Sequence, residues 1–284
     1  MMATHHPIAL NPLEEAALAG HKKGTNWSTL LVGPTGSGKT TQLWTIPGKK
    51  FAYLFDRNAI KTLEGCPNLT HELWYPERSE FDLHVQSIRK KVGTSGSGSV
   101  IRKGKPGNPH MYEDWVEDFN KKYDDGFFNK FDTIVIDGMT ALITQMMREL
   151  KVIQDKQGRE DMRTDYMIAG TVLNNVIGQL LLIDKNVMLM AHTRMIKDDL
   201  SKRIYHEFAM PGSARVVVPP MFDNVLIMHC RSNKDSELFV AQTRPDRENP
   251  SVRCAVRGCD MFEDMTVNDF RKPTQFGLGK LLQG

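Results

Sequence analysis

The chain has 284 residues, 40% of them hydrophobic and 25% charged, with a net charge of +3. That is an ordinary globular composition with room for one large domain or two small ones, and so modest a charge leaves only local clusters of Lys and Arg to argue for nucleic acid. No apolar run approaches the roughly 20 residues of a membrane helix, the N-terminus lacks an apolar leader, and the four cysteines form no CxxC pair, so the expectation is a cytosolic protein with reduced thiols and no membrane partner.

Along the chain, "NPLEEAALAGHKKG" reads as a short helix in an N-terminal arm over residues 1–27. Asn11 is a natural N-cap, Pro12 suits the first helical position, and Glu14 and Glu15 face the positive end of the dipole. "STLLV" (Ser28–Val32) is a short apolar run ended by Gly-Pro, the pattern of a buried strand. "TTQLWTI" then reads as a helix stopped by Pro47 and Gly48. "FAYLF" (Phe51–Phe55), "TIVID" (Thr133–Asp137) and "NVMLMAH" (Asn186–His192) are further apolar runs. Alternating with helices, they predict an α/β fold whose mostly parallel sheet is covered on both faces. Ala169, Val172, Leu173, Val176, Ile177, Leu180 and Leu181 repeat at helical spacing before the last of them. "NVLIMHC" and "ELFVAQT", separated by "RSNKDS", predict a C-terminal antiparallel hairpin. Residues 90–110 are rich in Gly, Ser and basic side chains and read as a flexible basic insertion in a core of residues 28–262; residues 263–284 read as a tail.

Between the first strand and the first core helix stands "GPTGSGKTT": Gly33, Pro34, Thr35, Gly36, Ser37, Gly38, Lys39, Thr40 and Thr41. It fits G-x-x-x-x-G-K-[ST] in full. Glycines let the backbone curl so that successive N–H groups point at phosphates. Lys39 would reach the β and γ oxygens, the Thr40 hydroxyl would ligate Mg²⁺, and the helix that follows would add its positive N-terminus. Such a loop needs an acid for the metal, and Asp137, at the end of an apolar strand, is placed to hold it. ATP with Mg²⁺ is the expected ligand. Gly138 follows Asp137 where helicases, transporters and AAA+ machines usually carry a water-activating Glu, which argues against those classes.

The pieces "GPTGSGKTT", "FAYLFD", "FDTIVIDGMTAL", "NVMLMAHT", "PPMFDNVLIMH" and "AQTRPDRENPSVRCAVRG" resemble, in order, the phage RecA-like P-loop ATPases of single-strand annealing and recombination. The resemblance implies a RecA-like core acting on single-stranded DNA, rings or filaments of identical subunits, and a single-strand-binding protein as a further partner. It implies that His192 is a polar sensor of the γ-phosphate. It also points to a departure: where the family has D-x-E after the second strand, this chain reads Asp56-Arg57-Asn58. Asn58 can orient a water but cannot take its proton. Another carboxylate, Asp56 or Glu64, then serves, or hydrolysis is slow.

In RecA-type proteins the DNA-gripping loops follow the third-strand helix and the fourth strand, here Gln154–Asp165 and Met195–Arg215. The second carries Lys197, Lys202, Arg203 and Arg215 for phosphates, with Tyr205 and Phe208 for stacking on bases. The competing reading is a solvated loop whose aromatics join the core. Arg253 and Arg257, after the last strand, are candidates for a finger reaching a neighbouring subunit's γ-phosphate, against pairing within the chain. Two rivals to the ATPase stay open: a nucleotide-gated binding module (a helicase loader or packaging factor), and a P-loop kinase, for which no lid or acceptor pocket is visible.

Overall fold

The computed structural model describes residues 26–77, 109–156, 162–197, 204–212, 214–233 and 236–283. The N-terminal arm helix, most of the basic insertion, and Lys202 and Arg203 lie outside these residues.

The apolar runs form the sheet. Strands β1 (Ser28–Gly33), β2 (Lys50–Leu54) and β4 (Thr133–Asp137) are almost wholly buried. With β3 (Leu69–Leu73), β5 (Asn186–Lys197), β7 (Asn224–Asn233), β8 (Ser236–Gln242) and β9 (Phe262–Asp264) they run in the order β3-β2-β4-β5-β1-β7-β8-β9. Every neighbour from β3 to β7 is parallel. β8 and β9 add antiparallel strands at the far edge. This is the RecA-like arrangement expected, with a strand between the phosphate-loop strand and the acid strand. β6 (Ile204–Phe208) pairs antiparallel with the outer half of β5.

Side chains alternate across the sheet, and both faces are covered. Leu30, Val32, Phe51, Tyr53, Ile134 and Ile136 face a layer built from α2 (Met111–Asp124), α3 (Met139–Lys156) and α4 (Met162–Leu181). The helical repeat read before β5 is α4, with Ala169, Leu173, Val176, Ile177 and Leu180 buried. The backbone N–H groups of Tyr112 and Glu113, at the start of α2, donate to the buried Glu149 carboxylate at 2.6 and 3.1 Å, which ties α2 to α3. Leu31, Ala52, Leu54 and Val135 face the opposite layer, which holds α1 (Ala59–Leu63) and α6 (Gly277–Gln283). α5 (Ala214–Val217) is a single turn before β7.

Two details differ from the sequence expectations. The helix after the phosphate loop is a five-residue 3₁₀ turn, Thr40–Trp44. Only seven residues separate Lys39 from Pro47, too few for a stable α-helix. The Thr45 hydroxyl and N–H both bond the Gln42 carbonyl, an i→i−3 pattern. β5 does not stop at His192 but continues to Lys197. Residues 263–283, read as a tail, pack against the core, with Met265 and Leu278 buried there.

Candidate nucleotide site

Parallel strands deliver their C-terminal ends to one edge, and ligands of open α/β sheets bind there. Register puts Gly33 beside His192 and Asp137 beside Met190. The phosphate loop, the acid and the end of β5 therefore meet at one place. They line a cavity of about 290 Å³ with Asp56, Asn58 and Phe239.

Gly36 and Gly38 take φ values of +78° and +81° and give the loop its curl. Lys39 folds back into the loop it belongs to. Its ammonium donates to the Gly33 and Pro34 carbonyls at 2.9 and 2.8 Å and to Ser37 Oγ at 3.4 Å. Lys39 is 8% exposed. Burial pulls its pKa down to about 8, against the opposing pull of Asp137 and Asp56. A desolvated cation held by carbonyls is stabilised by an anion, and a phosphate oxygen supplies one.

Thr40 Oγ1 donates to Asp137 Oδ2 at 2.8 Å. Burial raises the Asp137 pKa to about 6, opposed by the Thr40 hydrogen bond and by Lys39. Hydroxyl and carboxylate are both hard oxygen donors, and their contact marks where Mg²⁺ would sit with the β and γ oxygens. His192 is half-buried and its N–H donates to Thr140 Oγ1 at 2.9 Å. Its Nδ1 is buried without a hydrogen-bond partner. Burial first, then the Lys39 charge, hold this imidazole below its usual pKa. The orphaned nitrogen, the loop's curl and the oxygen pair all fit a triphosphate with its metal. The expected helix-dipole contribution is much reduced, because the 3₁₀ turn is too short to build one; the loop's own N–H groups must carry it.

Beyond β2, Asp56 and Asn58 both line the cavity, and the Asn58 N–H donates to Asp56 Oδ1 at 2.9 Å. Glu64 does not line it; it is exposed at the C-terminal end of α1. Of the carboxylates considered as alternatives to Asn58, the structure brings Asp56 to the pocket and leaves Glu64 outside.

Gly138 has φ +93°, and a Cβ there would lie 3.1 Å from Phe55 Cβ and 3.3 Å from the Asp56 nitrogen. A Glu at this position would strain the backbone as it stands.

Residues 25–251 match the model of a family described as "AAA domain". The chain belongs to this AAA-domain family. It is a P-loop ATPase by family, and the inference drawn from Gly138 against AAA-type proteins is corrected. No curated protein matches the sequence. Among solved structures, it is similar to a KaiC-like protein from the hyperthermophilic archaeon Pyrococcus horikoshii, at 10% identity over 87% of each chain. The TM-score is 0.40, and the fold assignment here rests on strand order.

The remaining candidates of this AAA-domain chain lie elsewhere. Lys197 and Tyr205 are on the paired outer ends of β5 and β6. Phe208, expected to be free for stacking, is 5% exposed and packs in the core. Arg215 lines a second cavity of about 150 Å³ with His206 and Glu248. Arg253 donates to the carbonyls of Pro220, at 2.6 Å, and Phe222. That engagement is the pairing within the chain that competes with the finger reading. Arg257 is exposed. Phe239 was missed altogether, because an aromatic in a strand reads as core. Among the described residues no helix is long and apolar enough to cross a membrane.

Proposed function

We propose that this chain binds ATP with Mg²⁺ through Lys39, Thr40 and Asp137, hydrolyses it slowly, and couples nucleotide state to single-stranded DNA in phage recombination or replication. The observation that carries the coupling is the continuity of β5. The strand runs from the centre of the sheet through His192, at the cavity, into the extension that pairs with β6. A γ-phosphate that engages His192 pulls on the same strand that ends at Lys197. The sequence resemblance to phage RecA-like ATPases supplies the DNA, the homo-oligomeric ring or filament, and a single-strand-binding protein as partner. Lys202, Arg203 and Arg215 extend the basic stretch in sequence.

Asp56 is the base in this reading. It borders the cavity and influences the titration of Lys39, Asp137 and His192, whereas Asn58 can only orient the water. Bound Mg²⁺ would neutralise charge on the transferring phosphoryl group, and Lys39 would stabilise the β and γ oxygens. Phosphate release at saturating ATP, with and without single-stranded DNA, is the test. Asp56→Asn should cut turnover by about 10²–10⁴-fold while ATP binding persists. Undiminished turnover in Asp56→Asn would remove Asp56 from the role. ATP binding by the parent with no phosphate release would favour the nucleotide-gated module that Asn58 suggests.

A further inference from the structure

Sheet order gives the nucleotide cavity two ends. Asp137 on β4 is two strands from β1 on one side, and β8 is two strands from β1 on the other. The Thr40–Asp137 pair marks the metal end, where the β and γ oxygens belong. The phosphate chain must then run across the end of β1, and the α-phosphate with its ribose and base leaves toward β7 and β8. Phe239 of β8 stands there. It lines the same cavity as Lys39 and Asp137. Its ring lies against the phosphate loop: a methyl built on Gly38 would come within 2.9 Å of Phe239 Cδ1.

The ring is half-buried, so an aromatic surface borders a cavity otherwise lined largely by polar side chains and loop backbone. Both of its backbone polar groups are tied to the segment Met265–Thr266. The Phe239 N–H donates to Thr266 Oγ1 at 3.1 Å, and the Met265 N–H donates to the Phe239 carbonyl at 2.8 Å. A rigidly mounted, partly uncovered aromatic beside a phosphate loop suits a flat π-surface at the other end of the ligand.

We propose that Phe239 is the platform on which the nucleobase stacks, so that a nucleoside triphosphate binds this site more tightly than a bare polyphosphate does. The inference rests on the nucleotide reading of the phosphate loop. Stacking accepts every base, since each has a π-face, so Phe239 contributes affinity for a base and little choice among bases.

The test compares MgATP with magnesium tripolyphosphate, which keeps the phosphates and lacks ribose and base. Binding of both is measured by calorimetry to the parent, Phe239→Ala, Phe239→Leu and Phe239→Trp. Leucine keeps an apolar contact with Gly38 but has no π-face. Expected is a loss of about tenfold in ATP affinity for Ala and Leu, retention for Trp, and unchanged tripolyphosphate binding throughout. The tryptophan fluorescence added in Phe239→Trp should be quenched by ATP and not by tripolyphosphate. Equal losses for both ligands would mean that the ring only braces the loop, and the proposal falls. Unchanged ATP affinity in both Ala and Leu overturns it too. A parent that binds neither ligand is a different failure, that of the phosphate-loop reading itself.

Discussion

Asp137 and Lys39 carry opposite charges into a shared desolvated site, and burial is the largest influence on both. For Asp137 the folded pKa of about 6 lies above the ordinary carboxylate value of 3.8. The sign follows: stability from this group is full below the unfolded pKa and is lost as pH rises through about 6. The empty protein therefore holds a carboxylate at neutral pH at some cost, and Mg²⁺ offsets it. Below about pH 6 the metal must displace a proton first. Mg²⁺-dependent ATP affinity should hold from about pH 7 upward and fall below pH 6, by up to about tenfold per pH unit. Calorimetry across that range checks it, with Asp137→Asn as the control for the nucleotide's own titration. A parent whose profile parallels that of Asp137→Asn would show that Asp137 does not take part in metal binding.

At the scale of elements, the chain's last helix is bolted to the turn after the phosphate loop. Gln42 Nε2 donates to the Met265 carbonyl, its Oε1 accepts from the Leu278 N–H, and Thr45 Oγ1 accepts from the Gly279 N–H, each at 2.9 Å. Leu278 is fully buried between these contacts. Leu278→Ala should lower the free energy of unfolding by about 2–5 kcal/mol, read as a shift of the urea midpoint; a change below about 0.5 kcal/mol would mean that α6 frays independently. None of this docking was legible in the sequence. A glutamine that bonds backbone 223 residues away leaves no periodic trace. The central strands β1, β2, β4 and β5 were legible because burial on both faces demands unbroken apolar runs. β3 was not, since an edge strand with Thr70, His71 and Leu73 exposed needs no such run. Within the site, phosphate loop and acid stood out because their chemistry fixes residue types at close spacing. Asp56 was read only as an alternative, and Phe239 not at all, because their roles depend on which strand ends are neighbours.

Across the whole molecule, β5 is the rigid link between chemistry at the cavity and the β5–β6 extension about one strand-half away. If the proposed coupling holds, ATP raises affinity for single-stranded DNA by some factor, and by linkage DNA raises affinity for ATP by the same factor. His192 is the contact through which β5 would feel the γ-phosphate: its Nδ1 is unpaired, and its backbone is anchored to Thr140 at the start of α3. His192→Ala removes the imidazole and leaves Lys39, Thr40 and Asp137 in place, so ATP binding should persist. The two coupling factors should fall together toward one. Fluorescence anisotropy of a labelled oligonucleotide, with and without ATP, gives the first factor, and ATP titration with and without the oligonucleotide gives the second. Both belong at one fixed salt concentration, because phosphate contacts make DNA affinity fall steeply with salt. Coupling that survives intact in His192→Ala would move the link away from β5. A parent in which ATP leaves DNA affinity unchanged would refute the coupling altogether.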